Sequence, residues 1–126
     1  MNKHLFNRLY FLLVTSDDEI SEKEIVLWKK IAELNKFNDD IHQQLNSLKA
    51  TDRVQMRKSC VEELKHTSKE QQINLMALLC VMANADGFMH KAEWELIYSI
   101  YHKELKLNQL EILETQLQLK KTLLSA

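Results

Sequence analysis

Proline is absent from the 126 residues, and glycine occurs once, at Gly87. Average usage would supply roughly 7% Gly and 5% Pro. Sandwiches and barrels reverse direction often and draw on such residues, so the all-β classes are excluded. Arginine is scarce too: Arg8, Arg53 and Arg57 are the only three. The 17 basic and 18 acidic residues are mixed along the chain, for a formal net charge of -1. A nucleic-acid footprint shows clustered Lys and Arg, so no nucleic-acid partner is expected. No apolar run reaches the roughly 18 residues that a membrane-crossing helix needs. The run Leu9 to Val14 is short and lacks a following cleavage site, so no signal peptide is expected. Cysteine occurs twice, at Cys60 and Cys80, with no CxxC or zinc spacing. Both lie in apolar helical context, and buried free thiols in a reducing, cytoplasmic setting are expected.

What fills the chain is Leu, Lys, Glu, Gln, Met and Ala, the good helix formers. Apolar residues make up 45%, enough to build a core, and the length suits one domain over residues 1–126. The expected fold is all-α, a compact bundle of about six to seven helices. The first helix covers about Lys3 to Thr15, with Leu5, Phe6, Leu9, Leu12 and Leu13 at helical spacing. A second starts at Ser21, which has Glu24 at capping-box distance, and carries Ile25, Leu27, Trp28, Ile31 and Leu34. A third spans about 39–49. A fourth, capped by Thr51 or Asp52, carries Val54, Met56, Cys60, Val61 and Leu64. The fifth opens at Ser68. Between Ile73 and Ala85 only Asn74 and Asn84 interrupt its apolar run, which marks it as the central, nearly surrounded helix. A sixth is expected from His90 to Leu105. A seventh, opening at Asn108, is patterned by Leu110, Leu113, Leu117 and Leu119.

An acidic corner occurs twice, and it gives the bundle an internal pseudo-two-fold repeat. Asp86 follows Asp17 by 69 positions. At that offset Leu12, Leu13, Ile20, Glu24, Leu27 and Ile31 fall on Val81, Met82, Met89, Glu93, Leu96 and Ile100. Asp18 stands in the place of Gly87; both residue types tolerate positive φ. In each copy an Asp sits in the corner and a Glu in the first turn of the next helix, where the helix N-terminus favours negative charge. If the corners pack side by side, Asp17, Glu24, Asp86 and Glu93 converge. Four carboxylates together raise one another's pKa values, and a hard divalent cation, Ca²⁺ or Mg²⁺, relieves them through oxygen ligands. The competing reading is purely structural: Glu24 and Glu93 satisfy their own capping boxes and the aspartates cap the corners. An EF-hand is excluded, because its first ligand position falls on the apolar Leu13 and Met82.

The second copy runs Leu78-Leu79-Cys80-Val81-Met82-Ala83-Asn84-Ala85-Asp86-Gly87, then Met89, Glu93, Ile97 and Ile100. With the first copy, Ser16-Asp17-Asp18-Glu19-Ile20-Ser21-Glu22-Lys23-Glu24, it resembles the TerB-like family. That is the tellurite-resistance helical domain also found at the front of membrane-anchored DnaJ-like co-chaperones. The similarity spans about residues 5 to 107. The resemblance implies an all-helical bundle of about seven helices with internal pseudo-symmetry. It also implies acidic clusters proposed to bind metal, and roles in stress or tellurite resistance. Carried over, Asp17, Glu24, Asp86 and Glu93 match the acidic positions, and Gly87 the turn glycine. Asp18 departs from the usual first glycine, and His90 from the usual Ser, Thr or Asp cap. No J-domain is present, so a co-chaperone role is not expected.

No reaction is indicated. Ser21 lacks a His-Asp partnership, and His4, His42, His66 and His102 share no metal-ligand spacing. A carboxylate pair suits a glycosidase, yet so small a helical domain offers little cleft for a sugar. The sequence therefore points to a non-enzymatic, divalent-metal-associated or stress-related interaction domain. The alternative is a metal-free protein-interaction module, engaging a protein partner or self-associating through an apolar helix face.

Overall fold

The computed structural model describes residues 2–16, 22–37, 41–85 and 89–124. Within them the chain forms α1 (Lys3–Val14), α2 (Glu22–Leu34), α3 (Ile41–Leu48), α4 (Arg53–Lys65), α5 (Lys69–Ala83), α6 (Lys91–Tyr98), a π-helical segment (Ser99–Glu104) and α7 (Gln109–Leu124). There is no strand among the described residues.

Side-chain caps fix where several helices begin. The Leu5 N–H donates to Asn2 Oδ1 at 3.1 Å, and the Val54 N–H to Asp52 Oδ1 at 2.8 Å. The Gln71 N–H donates to Ser68 Oγ at 3.3 Å, and the Leu110 N–H to Asn108 Oδ1 at 2.8 Å. Each such cap contributes about 1 kcal/mol. Asp52, not Thr51, caps α4, and a short loop over 49–52 separates it from α3. The capping residue expected for α2, Ser21, lies outside the described residues.

Two helices are buried almost all round. Every residue of α5 from Leu75 to Ala83 is buried, as the apolar run requires. On α1, Leu5, Phe6, Asn7 and everything from Leu9 to Val14 are buried as well. α1 packs against α3, α4, α5 and α6, and α5 packs against α1, α2, α6 and α7. The remaining helices cover this pair with one apolar face each. α2 buries Leu27, Trp28 and Ile31, and α4 buries Met56, Cys60, Val61 and Leu64. Leu34 and Val54, expected on those faces, stand exposed near the helix ends.

The arginines tie helices to one another. Arg8 on α1 pairs with Glu63 on α4 at 2.5 Å. Arg53 reaches from α4 to the end of α1, donating to Thr15 Oγ1 and, at 3.2 Å, to the Leu12 carbonyl. A cation there satisfies terminal carbonyls and complements the helix dipole. Arg57 donates to Ser99 Oγ at 3.1 Å, which ties α4 to the π segment.

The sixth helix does not run as one α-helix to Leu105. Beyond Tyr98 it widens, and the Leu105 N–H donates to the Ile100 carbonyl, five residues back, at 2.9 Å. Ile100 and Tyr101 are both buried in this wider turn.

The shortage of glycine has a conformational consequence. The end of α2 is a Schellman motif: the Phe37 N–H donates to the Ala32 carbonyl at 2.7 Å and the Lys36 N–H to the Glu33 carbonyl at 3.2 Å. The left-handed position usually taken by glycine falls on Lys36, at φ 59°. Lys106, at φ 54°, plays a similar part after the π segment. A Cβ in that region is strained. Lys36→Gly is therefore expected to raise stability by about 0.5–1 kcal/mol, read as a higher urea midpoint at unchanged slope. A lower midpoint would show that the lysine side chain contributes more than its backbone strain costs.

Candidate functional site

The two corners join α1 to α2 and α5 to α6. Of the four carboxylates expected there, Glu24 and Glu93 are described; Asp17 and Asp86 lie outside the described residues. Both glutamates sit in the first turn of their helices, and both are buried, Glu24 at 6% and Glu93 at 2% exposure. With Asn7 they are the buried polar residues found among the described residues. No group of three or more His, Cys, Asp or Glu gathers to hold a metal among those residues.

Glu24 lies near Tyr10, beside an aromatic wall. One turn along α2, the Trp28 indole N–H donates to Asn7 Oδ1 on α1 at 3.0 Å. The Tyr10 ring lies 6.4 Å from Trp28 and 6.5 Å from Phe6. Burial pushes the Tyr10 hydroxyl above its ordinary range, and the negative charge of Glu24 pushes it further. The Tyr10 hydroxyl makes no hydrogen bond among the described residues.

Glu93 has a defined structural role. Its Oε1 accepts the His90 N–H at 3.3 Å, the backward half of a capping box. The next residue, Trp94, is 46% exposed. Its ring stacks on Tyr98 at 4.6 Å, and Tyr98 stacks on His102 at 4.7 Å. This aromatic ladder runs off α6 onto the π segment. Its spacing, every fourth residue, was readable in the chain, but its exposure was not.

No family model, curated protein or solved structure matches this chain.

Two clefts open beside the second corner. One, of about 450 Å³, has Leu27 and Val81 among its apolar lining and Lys23, Lys30 and Lys120 among its polar lining. The other, of about 160 Å³, lies among Cys80, Trp94, Tyr98 and Leu113. Asn84 and Gln116 line both clefts, so the two are neighbours. Lys30 also reaches across to the end of α7, donating to the Leu123 carbonyl at 3.2 Å.

Neither thiol is set up for chemistry. Both cysteines are free and buried. Burial pushes Cys60 up to about 11 and Cys80 up to about 12. A thiol so raised is protonated at neutral pH and a poor nucleophile. The folded state holds these protons more tightly than the unfolded chain, whose thiols ionise near 9.0. The stabilisation is complete below that pH and is lost as pH rises through the folded values. Stability is therefore expected to decline with alkaline pH above about 9. The decline should be shallower in Cys80→Ala, measured by urea unfolding at successive pH values. Parallel declines in the two proteins would remove Cys80 as a source.

Proposed function

We propose that this chain is a non-enzymatic helical interaction domain whose protein-binding surface is the outer face of α7, extended by Trp94. The observation that carries the reading is a second apolar stripe on a helix that already has one. α7 buries Ile112 and Leu123 against the bundle, with Leu119 half-buried. It leaves Leu110, Leu113 and Leu117 exposed on another side. Trp94 and Leu113 line the same small cleft, which joins the stripe to the aromatic ladder. A contiguous apolar surface of this kind marks a contact site more often than an isolated leucine does.

The test separates a contact surface from a covert part of the core. Leu113→Glu combined with Leu117→Glu is expected to change folding stability by less than about 0.5 kcal/mol. Leu79→Ala, in the centre of α5, should cost about 2–5 kcal/mol. Urea unfolding of dilute protein gives both numbers. A loss of several kcal/mol in the double variant would place the stripe inside the fold and end this reading.

A second reading, a divalent cation at the TerB-like corners, is favoured by the burial of Glu24 and Glu93 at corresponding places. The repeat itself draws support from the packing. α1 and α5, which lead into the corners, pack on each other, and each also packs on the helix leaving the other's corner. The family's association with tellurite and general stress would then belong to this domain through its corners. Binding of Ca²⁺ or Mg²⁺ at a hundredfold excess over Kd is expected to add about 2.7 kcal/mol. The thermal midpoint should rise accordingly, and Asp86→Ala or Glu24→Gln should abolish the rise. Equal midpoints with and without millimolar ion would leave the glutamates as structural groups only.

A further inference from the structure

The outer face of α7 carries charge as well as apolar surface, and the pattern selects an occupant. At about 100° per residue, Leu110, Leu113 and Leu117 fall within an arc of about 60°. Their exposures are 67%, 43% and 62%. Glu114 and Lys121 border this stripe on one side, and both are exposed. Gln109, Gln116 and Lys120 border it on the other, the side nearer Trp94. Spacings of three and four residues make the leucines the a and d positions of a helix seam, and Glu114 and Lys121 its e positions.

Acidic residues stand in the first half of α7, at Glu111 and Glu114, and basic ones in the second, at Lys120 and Lys121. A helix with this polarity complements itself only when reversed. We infer that two copies of this chain pair through α7, antiparallel about a two-fold axis. In that arrangement Leu113 of each packs on the partner's Leu117, and Glu114 of each faces the partner's Lys121. The inference rests on the reading of this face as a contact surface and names its partner.

The charges fix orientation and register together. In an antiparallel pair the same flank of both helices meets, so e positions face e positions. Setting Leu113 against the partner's Leu117 brings Glu114 to the partner's Lys121, twice by symmetry. It also lays the Lys120 stem over the partner's Leu110, with the ammonium free to reach water. On the opposite flank Gln116 meets its own symmetry mate, and Trp94 extends the rim. Shifting one helix by a heptad towards the N-terminus sets Glu114 against the partner's Glu114. A parallel pair sets the e positions against Gln109 and Gln116, and no ion pair forms. One helix per subunit is a small interface, so the dimer is weak and reversible.

The test is sedimentation of the full chain from micromolar to millimolar concentration. Wild type is expected to move from monomer towards dimer over that range. Glu114→Lys alone and Lys121→Glu alone should each weaken association about fivefold to tenfold, because each replaces two attractions with two repulsions. An equimolar mixture of these two variants should associate about as well as wild type, since each then meets its opposite charge. Neither substitution touches the core, so circular dichroism should be unchanged. A monomer at every concentration overturns the inference. So does a dimer indifferent to both variants, or a mixture no better than its components. A monomeric wild type combined with an unchanged folding stability of the Leu113→Glu, Leu117→Glu variant would leave the contact surface standing and assign it to a different protein.

Discussion

Burial of α1 and α5 against each other is the constraint on which the other helices depend. Both are too apolar to keep a face in water. α5 has no polar side from Leu75 to Ala83, and α1 has Arg8 as the one break in its buried length. Once they cross, their remaining surfaces need cover. α3 and α4 lie on α1, α2 and α7 lie on α5, and α6 touches both. Covering helices need only one apolar face, which explains their ordinary amphipathic composition.

In the first turns of α2 and α6 the glutamate is buried while Glu22, Lys23 and Lys91 beside it stay exposed. A carboxylate there is costly to desolvate, and the cost is offset by the N–H groups and positive end of the new helix. The Glu93 contact to the His90 N–H is one such offset. Near the other corner Arg53 does the complementary work, holding the Leu12 carbonyl and the Thr15 hydroxyl at the end of α1. The three arginines are therefore fastened to α1, α4 and the π segment. Lys23, Lys30 and Lys120 line the groove between α2 and α7.

Much of the bundle was legible because its signals are local. The apolar run Ile73 to Ala85, the cap at Ser68 and the buried thiols each depend on a few neighbouring residues and a period. Three features were not legible, for stated reasons. The burial of α1 was understated because Asn7 reads as polar; it is buried because the Trp28 indole supplies its hydrogen bond from another helix. The π segment leaves no mark in a hydrophobic pattern that fits an α-helix equally well. α7 carries seven apolar residues, and periodicity alone cannot say which side of the helix faces in.

The sequence by itself determined an all-helical chain, the order and approximate ends of its helices, and the placing of Glu24 and Glu93 in first turns after two similar corners. Those are consequences of backbone propensity, capping and spacing, which act within a few residues. Only the tertiary structure decided that α1 shares the centre with α5. Only it buried both glutamates and turned Leu110, Leu113 and Leu117 outward while Ile112 and Leu123 turned in. The physical reason is that burial is settled between helices. A leucine is core or contact surface according to whether a neighbouring helix has already taken the space beside it, and on α7 that neighbour, α5, covers one side only.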